Sequence, residues 1–281
     1  MTDYSSLNWT SPDGIDFVGY HGTPSRPKAV VALVHGIGEH AERYKHLGAF
    51  LIEHGYAFAA FDLRGHGRSG GKRGHTPTYN TLMDDVEQFL TKVRAFYPTT
   101  PIFLYGHSMG GNIVLNYYTH HPDADLKGII TTGAFVKLAF EPSAFMVALG
   151  RFMRNILPGF TQSNQLVLEH ISRSPEVVEA YKNDKLVHNK VTATLGIGMI
   201  ETAKNLYNYK GDTKIPMLIM HGGADKLTSP KGSRKFAENM SGDVTYKEWP
   251  GLFHEIHNEP EKQEVFDYLL DWLNKHVSVA S

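Results

Sequence analysis

The sequence predicts an α/β fold: a mostly parallel central sheet with helices on both faces, interrupted late in the chain by a helical insertion. Three observations predict it. Short apolar runs of strand length alternate with segments whose apolar residues recur at helical spacing. Several of those runs are apolar without a break, as in strands buried on both faces. The alternation then stops over about residues 135–207, where helical patterns follow one another with no clear buried strand, and resumes afterwards. A length of 281 residues suits one α/β domain carrying an insertion. The expected division is a core of residues 1–134 and 208–281, with 135–207 inserted as a helical lid.

Residues 7–20 alternate weakly around Pro12-Asp13-Gly14, a turn sequence, and read as an opening hairpin. Residues 29–34 are a buried strand that ends in His35-Gly-Ile-Gly-Glu-His40. A helical pattern covers about 43–54. The next strand, 56–61, ends at Asp62-Leu-Arg-Gly-His-Gly67. The helix expected over 81–96 places Leu82, Val86, Phe89, Leu90 and Val93 on one face. Ile102 to Tyr105 form a strand, and Ile113, Val114, Tyr117 and Tyr118 share one side of the helix that follows. A further strand spans 126–131, and the insertion holds a helix over 142–156. The remainder reads as strand 215–221, helix 230–240, strand 245–249 and a last helix over 259–276.

Composition excludes several classes of function. With 28 basic against 29 acidic residues the net charge is −1, which gives no electrostatic case for nucleic acid. The absence of cysteine removes disulfides, a thiolate nucleophile and cysteine metal sites. The polar start, Met1-Thr-Asp-Tyr-Ser-Ser6, lacks a basic stretch followed by an apolar core, so no signal peptide is expected. No apolar run approaches the ~20 residues that span a bilayer. The expected location is cytoplasmic, with peripheral membrane contact left open.

Between strand 102–105 and its helix stands Gly106-His107-Ser108-Met109-Gly110, a G-x-S-x-G sequence. In a chain with 27 glycines such a pattern also arises by chance; the strand–turn–helix context gives it meaning. The turn is too sharp for larger residues, so the glycines let the chain pass close to itself. Ser108 is then exposed at the apex above a helix N-terminus, a position suited to a nucleophile. A serine hydroxyl needs a base, and the base an orienting carboxylate, in the order serine, acid, histidine, each beyond a strand end. Asp225 follows strand 215–221 and His254 follows strand 245–249. Asp225 otherwise reads as a turn or capping aspartate. Asp212 and Asp243 precede their strands. His257, the rival base, lies further from its strand end than His254. The oxyanion donors are assigned to the backbone N–H of Met109 and, from the loop after strand 29–34, of Ile37.

Taken together, His35-Gly-Ile-Gly-Glu-His40 with Arg43-Tyr44, Asp62-Leu-Arg-Gly-His-Gly-Arg-Ser69 and Gly106-His-Ser-Met-Gly110 resemble the monoacylglycerol lipase and lysophospholipase branch of the α/β-hydrolases. The resemblance runs from about Leu33 to the last helix and extends to Tyr181-Lys-Asn-Asp184 in the insertion. It implies Ser108, Asp225 and His254 as a catalytic triad, with Ile37 and Met109 as oxyanion donors. It also implies that Glu39, Arg43 and His257 line a polar end that holds glycerol. The plainer alternative for those three is a local Glu39–Arg43 salt bridge and a solvated histidine.

Other signals point elsewhere and are weaker. Gly65-His-Gly67-Arg-Ser-Gly70 matches G-x-G-x-x-G after a strand, but Gly71-Lys-Arg-Gly74 and Pro77 argue for a loop where a dinucleotide fold needs a helix. Gly71-Lys72 is no Walker loop. His254 and His257 lack the H-E-x-x-H spacing of a metal site. No cofactor and no metal are expected. In the insertion, Phe145, Met146, Leu149, Phe152, Met153 and Ile156 recur at helical spacing, flanked by Arg151 and Arg154. About half of them are expected to pack the lid onto the core; the alternative is an apolar wall for an acyl chain or a face that touches lipid. The expected activity is hydrolysis of a monoacylglycerol to glycerol and fatty acid through an acyl-enzyme. The alternatives are a lysophospholipase, a broader carboxylesterase, or a non-catalytic binding protein on the same fold.

Overall fold

The computed structural model describes residues 4–277. Met1–Asp3, half of the polar start on which the signal-peptide reading rests, lie outside the described residues.

Eight strands form the central sheet: β1 (Ser5–Ser6), β2 (Gly19–Gly22), β3 (Val30–Val34), β4 (Ala57–Phe61), β5 (Ile102–His107), β6 (Gly128–Thr132), β7 (Met217–Gly222) and β8 (Val244–Trp249). Their spatial order is β1-β2-β4-β3-β5-β6-β7-β8. From β4 to β8 every pairing is parallel, while β1 and β2 join antiparallel at one edge. The expected opening hairpin is present as a small separate ribbon, Trp9–Thr10 against Asp16–Phe17.

Side chains alternate across the pleat, so each strand feeds two cores. Val30, Ala32, Val34, Ile102 and Leu104 face α2 (Tyr79–Phe96) and α3 (Met109–His120), whose Val86, Phe89, Ile113 and Val114 meet them, and Met217 and Ile219 lie in the same core with Phe236 of the helix Pro230–Glu238. Val31, Leu33, Phe103, Tyr105, Leu218 and Met220 face the opposite side, against Leu47 and Leu51 of one helix and Phe266, Leu269 and Leu273 of the last helix. Burial on both faces is why these strands read as unbroken apolar runs rather than alternating ones.

The first loops are fixed by charge as well as by packing. Arg64, just past β4, gives Nε and Nη2 to the two carboxylate oxygens of Asp85 on α2 at 2.5 and 2.6 Å, with Asp85 fully buried. Its Nη1 reaches Asp13, whose side chain is 48% exposed. Removing one member of a buried pair strands the other's charge, whereas an exposed pair contributes little. Asp85→Ala is therefore expected to lower the unfolding free energy by about 3–5 kcal/mol, and Asp13→Ala by under about 1 kcal/mol. Urea unfolding of both variants measures the contrast; equal effects would remove the buried bridge as a determinant of stability.

The segment between β6 and β7 brings Leu166, Ile171 and Tyr181 over the carboxyl ends of the strands, against Ser108 and His254. It contains α4 (Ala144–Ile156), α5 (Pro175–Asn183) and α6 (Ala193–Asn208). It also contains a two-stranded ribbon, Thr161–Ser163 against Lys190–Thr192, that the sequence reading does not anticipate. Ala193–Asn208 packs on the core through Leu195, Met199, Ala203 and Leu206. Ala144–Ile156 departs from expectation, since none of its residues is buried. Its inward side is Val147, Gly150, Met153 and Arg154, all half-buried, with Gly150 close against Ile197 and both Arg151 and Arg154 bridged to Glu201. Phe145, 73% exposed, and Phe152, 58% exposed, point away with Met146, Leu149 and Ile156. No helix among the described residues is long and apolar enough to cross a membrane.

Candidate active site

Ser108 stands between β5 and α3 with φ 54° and ψ −116°, a conformation that costs a non-glycine residue about 1–3 kcal/mol. Three backbone bonds hold it there. Its N–H donates to Thr132 O at 3.0 Å, and its carbonyl accepts from the N–H of Asn112 and of Phe135, both at 3.0 Å. The flanking glycines are required by space. A Cβ on Gly106 would lie 2.4 Å from Gly110 O, and one on Gly110 would lie 2.1 Å from Val34 O.

His254 lies past β8, with Nδ1 at 2.7 Å from Asp225 Oδ2. Beside an ionised carboxylate Nδ1 carries the proton, which leaves Nε2 as the ring nitrogen free to act on a neighbour. Gly133 backs the ring so closely that a Cβ there would sit 3.1 Å from Nδ1. Asp225 lies past β7 and is anchored by four further groups. Oδ1 accepts from the N–H of Leu227 at 2.8 Å and of Thr228 at 3.1 Å; Oδ2 lies 3.0 Å from His221 Nε2 and 2.8 Å from Thr228 Oγ1. His221 Nε2 faces the Asp225 carboxylate and, at 3.3 Å, Thr228 O, both acceptors, so it carries the ring proton, and Nδ1 accepts from Ser233 Oγ at 2.8 Å.

These contacts set the electrostatics. Burial pushes the Asp225 pKa up, but the two imidazoles and their hydrogen bonds outweigh it and hold the carboxyl far below the usual carboxylate range. Burial pulls the His254 pKa down, and the Asp225 charge and hydrogen bond outweigh that in turn, so it ends above its ordinary 6.5. His221 and Thr228 are site residues that the sequence reading misses. The available signal was His221 as the last apolar-run residue before Gly-Gly-Ala-Asp225.

Ser108 and His254 line one cavity of about 20 Å³ with Gly36, Ile37, Glu39, His107 and Glu255. Leu166, Ile171 and Tyr181 of the insertion close it. That volume holds about one water molecule. A larger cavity, about 780 Å³, opens beside Ile102 and Leu126 at the start of the strands. It is at the wrong end of the sheet, because ligands of open α/β sheets bind beyond the carboxyl ends. Ile37 therefore sits on the cavity, and Met109 opens α3 directly after Ser108, where N–H groups lack intrahelical partners. His35 shapes the Ile37 loop from below: its Nε2 accepts from Leu63 N–H at 2.9 Å, so Nδ1 donates to Gly36 O at 2.7 Å. Asp184 ties the same loop to the insertion through His40 Nε2 at 2.8 Å.

The three residues implied as glycerol contacts part company. Glu39 lines the cavity, 3% exposed. Arg43 is engaged by carboxylates and does not line it. His257 is fully buried, stacked on Tyr44 at 4.7 Å and edge-on to His107 at 4.7 Å. Neither of its ring nitrogens has a hydrogen-bond partner, and burial drives its pKa well below 6.5. It is neither a cavity contact nor a solvated histidine. Its position after β8 turns the ring into the layer beneath the site. The Gly65–Gly70 segment is a loop, as expected, with the following helix starting only at Tyr79. No cluster among the described residues has the makings of a metal site.

Comparison with known proteins agrees with this architecture. Residues 25–261 match the serine aminopeptidase, S33, family. An uncharacterized abhydrolase domain-containing protein of Dictyostelium discoideum is 35% identical over 91% of this chain, which spans 27% of that longer protein. A monoacylglycerol lipase of Mycolicibacterium smegmatis is 36% identical over 89% of this chain and 90% of its own. A phospholipase of Bacillus subtilis is 31% identical over 86% and 93%. The crystal structure of the Paleococcus ferrophilus monoacylglycerol lipase superposes with a TM-score of 0.84 at 32% identity, covering 93% of this chain and 99% of that one. A strained serine at a strand–helix turn, beside a histidine held by a buried aspartate on an eight-stranded sheet, thus places the chain in the serine aminopeptidase S33 family of α/β-hydrolases, in the branch that includes monoacylglycerol lipases, as an ester-hydrolysing enzyme.

Proposed function

We propose that the chain hydrolyses monoacylglycerols to glycerol and free fatty acid through an acyl-enzyme. The observation that carries the reading is the chain of contacts from Asp225 through His254 to the cavity holding Ser108. Ser108 Oγ attacks the ester carbonyl carbon while His254 Nε2 takes its proton. The carbonyl oxygen becomes an oxyanion, which the N–H groups of Ile37 and Met109 stabilise. Asp225 holds the imidazolium by its Nδ1–H. The C–O bond to glycerol then breaks, and the proton on Nε2 passes to the departing oxygen. Water, deprotonated by the same nitrogen, attacks the acyl carbon, the bond from that carbon to Ser108 Oγ breaks, and the proton on Nε2 returns to Oγ as the fatty acid leaves. The residues carry every proton movement, so the reading needs no cofactor.

Substrate choice follows from what surrounds Ser108. Glu39 offers a hydrogen-bond acceptor to a glycerol hydroxyl. Residues 135–207 serve as a lid, since Leu166, Ile171 and Tyr181 must move before anything larger than water reaches Ser108. The outward apolar side of Ala144–Ile156 supplies peripheral contact with a lipid surface, the phase in which such a substrate is dissolved. Monoolein is expected to be cleaved faster than diolein or lysophosphatidylcholine. Initial rates on the three at equal surface concentration test this, and the opposite ranking removes the monoacylglycerol assignment. Similarity to the Bacillus phospholipase favours hydrolysis of a phospholipid ester as the second reading, of which a lysophospholipase is one form.

A further inference from the structure

Arg43 is the most heavily engaged cation near Ser108, yet its partners are protein. Nη1 donates to Glu39 Oε2 at 2.6 Å and to Glu255 Oε1 at 2.7 Å; Nη2 donates to Glu255 Oε2 at 2.7 Å. The bond to Glu255 is the bidentate fork that a guanidinium makes and an ammonium does not. The face of the guanidinium lies 4.6 Å from the Tyr181 ring centroid, on a helix of the insertion. Both carboxylates are buried, at 3% exposure, and Arg43 is 10% exposed.

What the two carboxylates do next gives the arrangement its meaning. Glu39 Oε1 accepts from Gly36 N–H at 2.6 Å and from Tyr44 OH at 2.7 Å, so it fixes the residue before Ile37. Glu255 follows His254 directly. Its backbone N–H donates to Ile171 O at 2.8 Å, and its Oε2 accepts from Asn258 Nδ2 at 2.8 Å. Arg43 and Glu255 are 212 residues apart in sequence, and among the described residues no other salt bridge joins the two segments.

We propose that Arg43 is a positioning residue that clamps the loop carrying Ile37 to the loop carrying His254, holding oxyanion donor and base in mutual register through Glu39 and Glu255. This rests on the roles assigned above to Ile37 and His254, and it replaces glycerol contact as the work of Arg43. Two carboxylates against one guanidinium leave a surplus of negative charge beside His254. Both carboxylates add to the upward pull that Asp225 exerts on its pKa.

The test compares two esters, a monoacylglycerol and p-nitrophenyl butyrate, which has no glycerol. Arg43→Lys keeps the charge and loses the fork. It is expected to lower kcat on both esters by a common factor on the order of 10²-fold, the penalty of a small misplacement of reacting groups, with KM within about twofold. Labelling of Ser108 by a fluorophosphonate, which also lacks glycerol, is expected to slow by the same factor. A loss confined to KM for the monoacylglycerol overturns the clamp in favour of glycerol binding, and unchanged rates on both esters overturn it outright. If Arg43→Lys fails to fold by circular dichroism, Glu255→Gln carries the test. It keeps one acceptor, and the same shared loss in kcat is expected. The acid limb of kcat/KM is also expected to move to lower pH, because a negative charge beside His254 is gone; an unmoved limb with full kcat overturns the proposal. Failure of the monoacylglycerol reading shows separately, as turnover of p-nitrophenyl butyrate without turnover of the glycerol ester.

Discussion

Ser108→Ala is expected to lower kcat by on the order of 10⁶-fold, because the members of a serine–histidine–aspartate set act as a unit and removing the nucleophile removes the chemistry of all three. The backbone N–H groups of Ile37 and Met109 and the rest of the cavity survive the change, so residual catalysis above the uncatalysed rate is expected as well. Stability is expected to move little, since alanine keeps a Cβ at the same strained φ of 54°. Ser108→Gly separates strain from chemistry. Glycine has no Cβ to clash, so this variant is expected to be equally inactive yet more stable by about 1 kcal/mol, the lower end of the strain estimate. Steady-state rates on p-nitrophenyl butyrate and thermal unfolding of the two variants make the comparison. Appreciable turnover by either one withdraws the nucleophile assignment. A loss of stability in the glycine variant shows that Thr132, Asn112 and Phe135 hold the turn without strain.

Much of this arrangement is legible in the chain because it depends on local rules. A strand buried on both faces must be apolar throughout, so residues 29–34 and 56–61 announce themselves, and the observed strands Val30–Val34 and Ala57–Phe61 differ by a single residue at one end. A sharp strand–helix turn must have glycines flanking its apex, so Ser108 stands out. Strand ends then point to Asp225 and His254. What stays hidden depends on distant partners. Nothing near Arg43 in sequence indicates Glu255, and nothing near His257 indicates that its ring lies between Tyr44 and His107. Helical spacing identifies the apolar side of Ala144–Ile156 but not which side meets the protein. There the inward side is chosen by Gly150 against Ile197 and by the two arginines on Glu201. The ribbon of Thr161–Ser163 with Lys190–Thr192 escapes because three-residue strands are too short for periodicity to register.

Asp225→Asn keeps the shape of the site and changes only the proton economy, which makes it the sharper test of how His254 works. In the present structure Oδ2 accepts from His254 Nδ1, and Nε2 is the free nitrogen. An amide NH₂ at that place would donate to Nδ1 and move the imidazole proton to Nε2, where a base needs a lone pair. A fall in kcat of about 10⁴-fold is expected from the wrong tautomer. The pH dependence adds a sign. His254 must be neutral to accept the serine proton, and its pKa lies above the ordinary 6.5. For the unaltered chain kcat/KM is therefore expected to fall as pH drops through a value above 6.5. With the Asp225 carboxylate gone, the ring loses its strongest upward pull, Glu255 and Glu39 supply only the weaker remainder, and burial still favours the neutral form, so the acid limb of Asp225→Asn is expected at lower pH. Unfolding has to be followed beside this limb, because a buried neutral imidazole such as His257, with its pKa well below 6.5, also costs stability as pH falls below 6.5. The depressed pKa of Asp225 contributes stability that is present above the unfolded value near 3.8 and is lost only as pH falls below it. A pH–rate profile for both forms, with circular dichroism at each pH, decides the matter. A limb that stays in place while the rate falls would mean that the titrating group is another residue, and that His254 owes nothing of its basicity to Asp225.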